Sequence, residues 1–167
     1  MTQQSVIFVV GEPIIGKSTI IRSLTGAARN QIYNLKNGSG ELVRAFVFLS
    51  SIQEIGMTEY LPAIFLEKIE SEWEVERDSY DIFICPLRLA VRDQATYGYE
   101  SYIQSMRDKG FDVKIAIIDN NWNNAHADPH KIANIKDYAH KNGIALMVLD
   151  TSNDPNSESA KIKSFYP

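Results

Sequence analysis

The sequence predicts an α/β fold in three layers, with a mostly parallel central sheet and one antiparallel hairpin arm. Short apolar runs alternate along the chain with segments whose apolar residues recur at helical spacing, the pattern of parallel strands joined by covering helices. A glycine-rich loop at residues 11–19 lies between one such run and one such segment. The pair Asn37-Gly38 separates two further runs and is a strong hairpin signal.

In the first half of the chain, strand and helix signals surround the glycine-rich loop and the hairpin turn. Residues 5–10 are typical of a buried strand, and residues 20–28 have apolar positions at helical spacing. The second hairpin arm, 43–49, should enter the central sheet. A longer helix is expected over 59–76, with Pro62 near its first turn, where proline is tolerated.

Three more strands and two more helices are expected in the second half. The predicted strands are 80–87, 113–118 and 144–149. Pro86 should end the first of them. A helix over 96–109 should stop at Gly110, and a second helix should begin at the cap pair Asp128-Pro129. The polar C-terminal tail, from residue 151, predicts one frayed helical turn.

Length and composition limit the classes of function. The chain has 167 residues of ordinary globular composition, enough for a single domain spanning 1–167. The net charge of −4 gives no direct signal of nucleic-acid binding. No apolar run is long enough for a membrane span, no signal peptide is apparent, and the one cysteine, Cys85, cannot form an internal disulfide. We therefore expect a cytoplasmic protein.

The glycine-rich loop carries the strongest functional signal. Its residues fit the phosphate-loop pattern G-x-x-x-x-G-K-[S/T] without a mismatch. In such a loop the backbone N–H groups and the N-terminus of the next helix hold phosphate oxygens. Lys17 would lie near the outer phosphates and be exposed without nucleotide, and the Ser18 hydroxyl would bind Mg²⁺. The predicted nucleotide-binding residues of the loop are Gly11, Glu12, Pro13, Ile14, Ile15, Gly16, Lys17, Ser18 and Thr19.

Polar residues after other strands should complete the site, because ligands of parallel sheets bind at the carboxyl ends of the strands. Gln53 and Glu54 follow the hairpin and would orient a water, which makes them, with Lys17, the candidate catalytic residues. Loop surface is the alternative. Asn120 and Asn121 end the strand at 113–118 and offer amides that suit an adenine base, with a capped loop as the alternative.

Two arginines follow the strand at 80–87. Arg88 and Arg92 would clamp phosphate or neutralise transferring charge, and a solvent-exposed pair is the alternative.

The phosphate motif identifies the chain as a member of the P-loop NTPase superfamily, which implies the fold predicted above. The second half resembles ParA/MinD-type and StbB-type plasmid-maintenance ATPases. The similar features are a strand ending in proline at 81–86, Arg-Asp-Gln at 92–94 before a helix, and a strand ending in asparagine at 114–120. In those ATPases the asparagine helps to bind adenine, and its counterpart here is Asn120 or Asn121.

Two positions depart from the ParA-type pattern. Glu12 stands where those loops carry a lysine just after the first glycine. The aspartate that holds the magnesium shell is absent, with Ser50 or Ser51 near its place. Both departures put ParA-type catalysis in question and predict slow turnover.

These features predict an ATP-binding protein. The proposed activity is slow, Mg²⁺-dependent ATP hydrolysis by a nucleotide switch in plasmid or DNA maintenance or transfer, with a protein partner or as a homodimer. A small GTPase-like switch is the first alternative, because the hairpin and residues 150–152 are similar to that family, although 119–122 do not match its N-K-x-D motif. A small-molecule kinase and a non-hydrolysing nucleotide-binding adaptor are the others.

Overall fold

The computed structural model describes residues 3–12, 16–51, 53, 60–89, 97–120, 127–150, 152 and 154–167, with Asn120 described by its backbone. Within these ranges it contains six strands and five α-helices. The strands are β1 (Ser5–Gly11), β2 (Gln31–Lys36), β3 (Leu42–Val47), β4 (Ile82–Arg88), β5 (Asp112–Asn120) and β6 (Ala145–Asp150). The helices are α1 (Lys17–Thr25), α2 (Phe65–Glu72), α3 (Tyr99–Asp108), α4 (Pro129–Lys141) and α5 (Pro155–Ala160).

The six strands form one sheet in the order β2-β3-β4-β1-β5-β6. Strands β2 and β3 pair antiparallel, and the other neighbouring strands pair parallel. Asn37 fixes the hairpin turn because its Oδ1 accepts hydrogen bonds from the N–H groups of Ser39 and Glu41, both at 2.9 Å. The mostly parallel sheet, its antiparallel arm and the entry of the second arm are confirmed.

Helices cover both faces of the sheet. Every residue of β1 is buried, which requires cover on both sides. In one layer α2, α3 and α4 meet through ring contacts, Phe65 with Tyr102 at 5.3 Å and Tyr99 with Tyr138 at 5.7 Å. In the other layer α1 packs against α5. The predicted three-layer α/β fold is confirmed.

Local signals placed several helix ends correctly. Asp128 caps α4 because its Oδ1 accepts a hydrogen bond from the N–H of His130 at 2.9 Å, and Pro129 is the first helical residue. Gly110 and Gly143 follow the ends of α3 and α4.

Other predicted boundaries were wrong. Helix α1 begins and ends earlier than 20–28. Helix α2 begins at Phe65, later than predicted, and Pro62 lies in the turn before it; the expected start at residue 59 lies outside the described residues. The tail forms α5 and a short 3-10 helix, Lys161–Phe165, because Ile162 and Tyr166 are buried in the core.

Pro86 lies inside β4 and does not end it. The carbonyl of Ile84 accepts a hydrogen bond from the N–H of Phe48 at 2.9 Å, so the backbone groups of Ile84 point toward β3. Because backbone groups alternate in direction along a strand, the nitrogen of Pro86 also points to that side. The pairing of β3 with β4 ends at Ile84. Proline at 86 therefore removes no bond from the ladder, and the strand continues to Arg88.

The parallel strands place their carboxyl ends at one edge of the sheet, and the candidate site lies there. Cys85 lies below that edge in the core, where burial raises the pKa of its thiol well above the ordinary value. It is an inert core residue. Across the described ranges, no helix combines the length and apolar character that a membrane span requires.

Candidate functional site

The predicted phosphate loop connects the end of β1 to the start of α1. Gly11 is the last residue of β1, and Gly16 immediately precedes α1 with φ 101° and ψ 24°. This left-handed conformation strains any residue with a side chain, so glycine is required at 16. No described side chain caps α1, and its first turn contains no acidic residue. The N-terminal N–H groups and partial positive charge of α1 are therefore directed at the loop.

Lys17 is 7% exposed, which corrects the prediction that it would be exposed without nucleotide. Its Nζ donates hydrogen bonds to the carbonyl oxygens of Gly11, at 3.0 Å, and Glu12, at 3.1 Å. These acceptors make the burial of a lysine tolerable. The side chain thus folds back along the loop and holds a positive charge against its first two residues.

Ser18, the predicted magnesium ligand, bridges α1 to the segment after β3. Its Oγ donates a hydrogen bond to the carbonyl oxygen of Leu49 at 2.9 Å. Two residues further on, Ser51 is 2% exposed, and its hydroxyl has no hydrogen-bond partner among the described residues. Hydroxyl and carbonyl oxygens suit Mg²⁺, which keeps waters and phosphate oxygens as its other ligands. This neutral oxygen set is compatible with Mg²⁺ held mainly by a nucleotide.

The described residues offer no alternative metal centre. No group of three or more His, Cys, Asp or Glu side chains among them is arranged to hold an ion.

Glu12 forms an ion pair with a helix outside the loop. Its Oε1 lies 3.5 Å from Nζ of Lys131 on α4, and the two side chains are 24% and 41% exposed. The same Oε1 atom is buried and has no hydrogen-bond partner in the described part of the chain. The pair partly offsets the negative charge that Glu12 places in the loop.

Strand β4, which pairs with β1, ends in an arginine beside the start of the loop. Arg88 lies opposite Gly11 in the β1–β4 register and is 8% exposed. The N–H of Leu89 extends this pairing by donating to the Gly11 carbonyl at 3.1 Å. Arg88 therefore ends β4 and does not lie in a loop, and its burial contradicts the solvent-exposed alternative. Its contact with phosphate stays a prediction.

Gln53 also lies beside the end of β4, but its side chain contacts backbone. Its Oε1 accepts a hydrogen bond from the N–H of Arg88 at 2.6 Å, and its Nε2 donates to the carbonyl of Tyr97 at 3.2 Å. Gln53 is 5% exposed. Its catalytic role stays a prediction.

Several predicted site residues lie outside the described residues, namely Pro13, Ile14, Ile15, Glu54, Arg92 and Asn121. Thr19 is exposed in the first turn of α1. Asn120 is the last residue of β5, so its backbone is at the edge predicted for base recognition. The proposed adenine contact stays a prediction.

Comparison with known proteins supports the fold. No protein-family model and no curated protein matches the chain. A de novo designed protein of the PLOOP2X3_50 fold, determined by solution NMR, is similar with a TM-score of 0.52 and 12% identity, covering 98% of this chain and 94% of that one. The FeoB G-domain from Methanococcus jannaschii has a TM-score of 0.49 and 13% identity, with 98% of each chain covered.

The chain has a P-loop NTPase fold. At 12% and 13% identity, these similarities concern the fold alone.

The ion pair between Glu12 and Lys131 was not predicted from the sequence. Lys131 is one of several lysines on an amphipathic helix, and no local signal distinguishes it. Its contact with Glu12 depends on α4 lying beside the loop, which is a property of the strand order. The Ser51 hydroxyl, which has no hydrogen-bond partner among the described residues, had one weak sequence signal: Ser51 follows the second hairpin arm.

Proposed function

We propose that the chain binds a nucleoside triphosphate with Mg²⁺ at the phosphate loop, and that it prefers ATP to GTP. The observation that carries this proposal is the start of α1. A left-handed glycine, Gly16, leads into a helix whose N-terminus no described side chain caps, and Lys17 folds back toward Gly11 and Glu12. An uncapped helix N-terminus with an adjacent ammonium is a site for phosphate.

The preference for ATP rests on sequence. Residues 119–122 do not match the guanine motif N-K-x-D, and amides at Asn120 and Asn121 suit adenine. The backbone of Asn120 at the end of β5 is consistent with this role.

Slow turnover is proposed because the described site has little negative charge to fix a magnesium shell. The residue opposite Gly11 is an arginine, Arg88, and the segment after β3 offers Ser51. When bound, Mg²⁺ neutralises charge on the β- and γ-phosphates. Lys17 and the N-terminus of α1 would hold the same phosphates in place. Positioning without a fixed shell or a placed base should give slow hydrolysis.

We propose that this site works as a nucleotide switch whose two states are recognised by a protein partner or a second copy. The link to plasmid or DNA maintenance rests on the resemblance of 81–86, 92–94 and 114–120 to ParA/MinD-type and StbB-type ATPases.

Competition binding tests the proposal. Labelled ATP with Mg²⁺ is displaced by unlabelled ATP, GTP, ADP or GDP at equal concentrations, and each series is repeated without Mg²⁺. We expect unlabelled ATP to displace the labelled ATP better than GTP does. We also expect Mg²⁺ to increase the affinity for the triphosphates more than the affinity for the diphosphates. Failure of the protein to bind any triphosphate would refute the proposal.

A guanine-nucleotide switch is the second candidate. The hairpin after α1 is present, and Asp150 at the end of β6 accepts a hydrogen bond from the N–H of Ser152 at 2.9 Å. Both residues belong to the segment that is similar to that family. Equal or better displacement by GTP in the same experiment would favour this candidate over ATP.

A further inference from the structure

We propose that Lys131 is a positioning residue of the phosphate loop, which acts by holding the Glu12 carboxylate away from the bound phosphates. The inference rests on the proposed function, since it concerns nucleotide binding at the same loop. It assigns a role to a helix, α4, that the loop motif does not include.

Glu12 is unfavourable in a site that binds an anion, because its carboxylate repels phosphate. It follows Gly11 directly, so its negative charge lies in the part of the chain that should surround phosphate. Like charges in a partly buried site repel more strongly than in water. Its Oε1 atom is also buried and accepts no hydrogen bond from the described residues, so it needs a nearby positive charge.

Lys131 supplies the compensation. Its Nζ lies 3.5 Å from Glu12 Oε1, the range of an ion pair rather than a short N–H···O hydrogen bond. The pair draws the carboxylate toward α4. Without it, we expect Glu12 to turn toward the loop interior or to push the loop away from its phosphate-binding conformation.

Helix α4 is a firm support for this cation. Lys131 is the third residue of the helix, in the turn that Asp128 caps. The N–H of Ile132 donates a hydrogen bond to the Asp128 carbonyl at 3.1 Å. Ile132 and Ile135 anchor the helix in the core. The ammonium therefore approaches Glu12 from a helix that is anchored in the core.

The inference predicts a specific pattern of coupling. Lys131→Gln should weaken binding of a triphosphate about fivefold, equivalent to about 1 kcal/mol, the upper range for a partly exposed pair. Glu12→Gln should strengthen binding, because it removes the repelling charge. In the Glu12→Gln background, Lys131→Gln should change affinity less than about twofold. Lys131→Arg should bind like the wild type.

The experiment is a double-mutant cycle with a non-hydrolysable ATP analogue and Mg²⁺, measured by calorimetry at low and high salt. Lys136→Gln, an exposed lysine of the same helix, is the matched control and should not change the affinity. Thermal unfolding of each variant without nucleotide separates loss of fold from loss of binding. Coupling should fall at high salt, because the pair is partly exposed.

The outcomes separate this inference from the proposed function. If Lys17→Ala abolishes binding but Lys131→Gln has the same effect in both backgrounds, or no larger effect than Lys136→Gln, the inference is wrong and the proposed function stands. If the wild type binds no triphosphate, both are wrong. A Lys131→Gln effect that is about fivefold in the wild type and less than twofold in the Glu12→Gln background, with wild-type affinity in Lys131→Arg, supports the inference.

Discussion

The Gln53 side chain accepts a 2.6 Å hydrogen bond from the backbone N–H of Arg88. Arg88 is the last residue of β4, and its N–H points to the side from which β3 has already departed. The Gln53 amide takes the place of the missing strand partner. Its other end donates to the Tyr97 carbonyl just before α3, so one buried side chain ties three segments together at the candidate site.

Gln53→Ala should destabilise the protein by about 2 kcal/mol, because it leaves a buried N–H and a carbonyl without their partners. Urea unfolding measures the loss. Gln104→Ala, on the exposed side of α3, is the matched control and should change stability by less than about 0.5 kcal/mol. An unchanged midpoint with slower nucleotide hydrolysis would instead indicate that Gln53 orients the attacking water.

Lys17→Met should lower triphosphate affinity by about tenfold to a hundredfold, because a charged contact to phosphate is worth about 1.5–3 kcal/mol. Since Lys17 is buried and donates to two carbonyls, a stability loss of about 1 kcal/mol should accompany it. Methionine keeps most of the side-chain volume, and Lys136→Met serves as the exposed control. Wild-type affinity in Lys17→Met would show that nucleotide binds elsewhere.

Sequence predicted those parts of the fold that depend on local chemistry. The Asp128-Pro129 start of α4 needs a capping oxygen and a residue without an N–H, and both are visible in sequence. Pro86 was misplaced because its effect depends on what faces its nitrogen, and sequence does not show where β3 stops pairing. The C-terminal helices were underestimated although Asp154-Pro155 repeats the cap pair of α4, with Asp154 Oδ1 accepting a hydrogen bond from the N–H of Asn156 at 3.0 Å. The packing of Ile162 and Tyr166 into the core, which sequence does not show, adds to their stability.

In the candidate site, too, contiguous features were predicted from the sequence and contacts between distant residues were not. The loop and its glycines are contiguous, so the motif located them. The partners of Glu12 and Gln53 are distant in sequence, and their contacts follow from the strand order and from the position of α4. Such contacts leave no pattern in a single sequence.

Glu70→Gln should destabilise the fold by about 2 kcal/mol, because Glu70 anchors a partly buried network. Its carboxylate accepts two hydrogen bonds from Arg77, both at 2.7 Å, and one from the Tyr80 hydroxyl at 3.0 Å. Burial raises the pKa of Tyr80 well above its ordinary value, so the phenol remains a donor. Chemical denaturation at neutral pH measures the loss.

The control for that change is Glu76→Gln, an exposed position of the acidic stretch at residues 67–78, which also contains Glu70. It should leave the midpoint nearly unchanged. Equal loss in both variants would mean that the acidic stretch acts through its total charge and that the Glu70 network is not the cause. Because the network lies at the opposite end of the strands from the phosphate loop, neither variant should change nucleotide affinity.

Hydrolysis by the isolated protein should be slow, below about 1 s⁻¹, the low end of typical enzymes. Phosphoryl transfer depends on neutralising charge and on positioning the attacking water. Among the described residues, β4 ends in Arg88 opposite Gly11, where a carboxylate could have held the magnesium shell. The Gln53 side chain is already hydrogen-bonded to the backbone of Arg88 and Tyr97. Phosphate release from ATP, measured with Lys17→Met as the blank, checks the rate. Turnover of tens per second that is lost in Lys17→Met would reveal a catalytic carboxylate, and Glu54 would be the first residue to substitute.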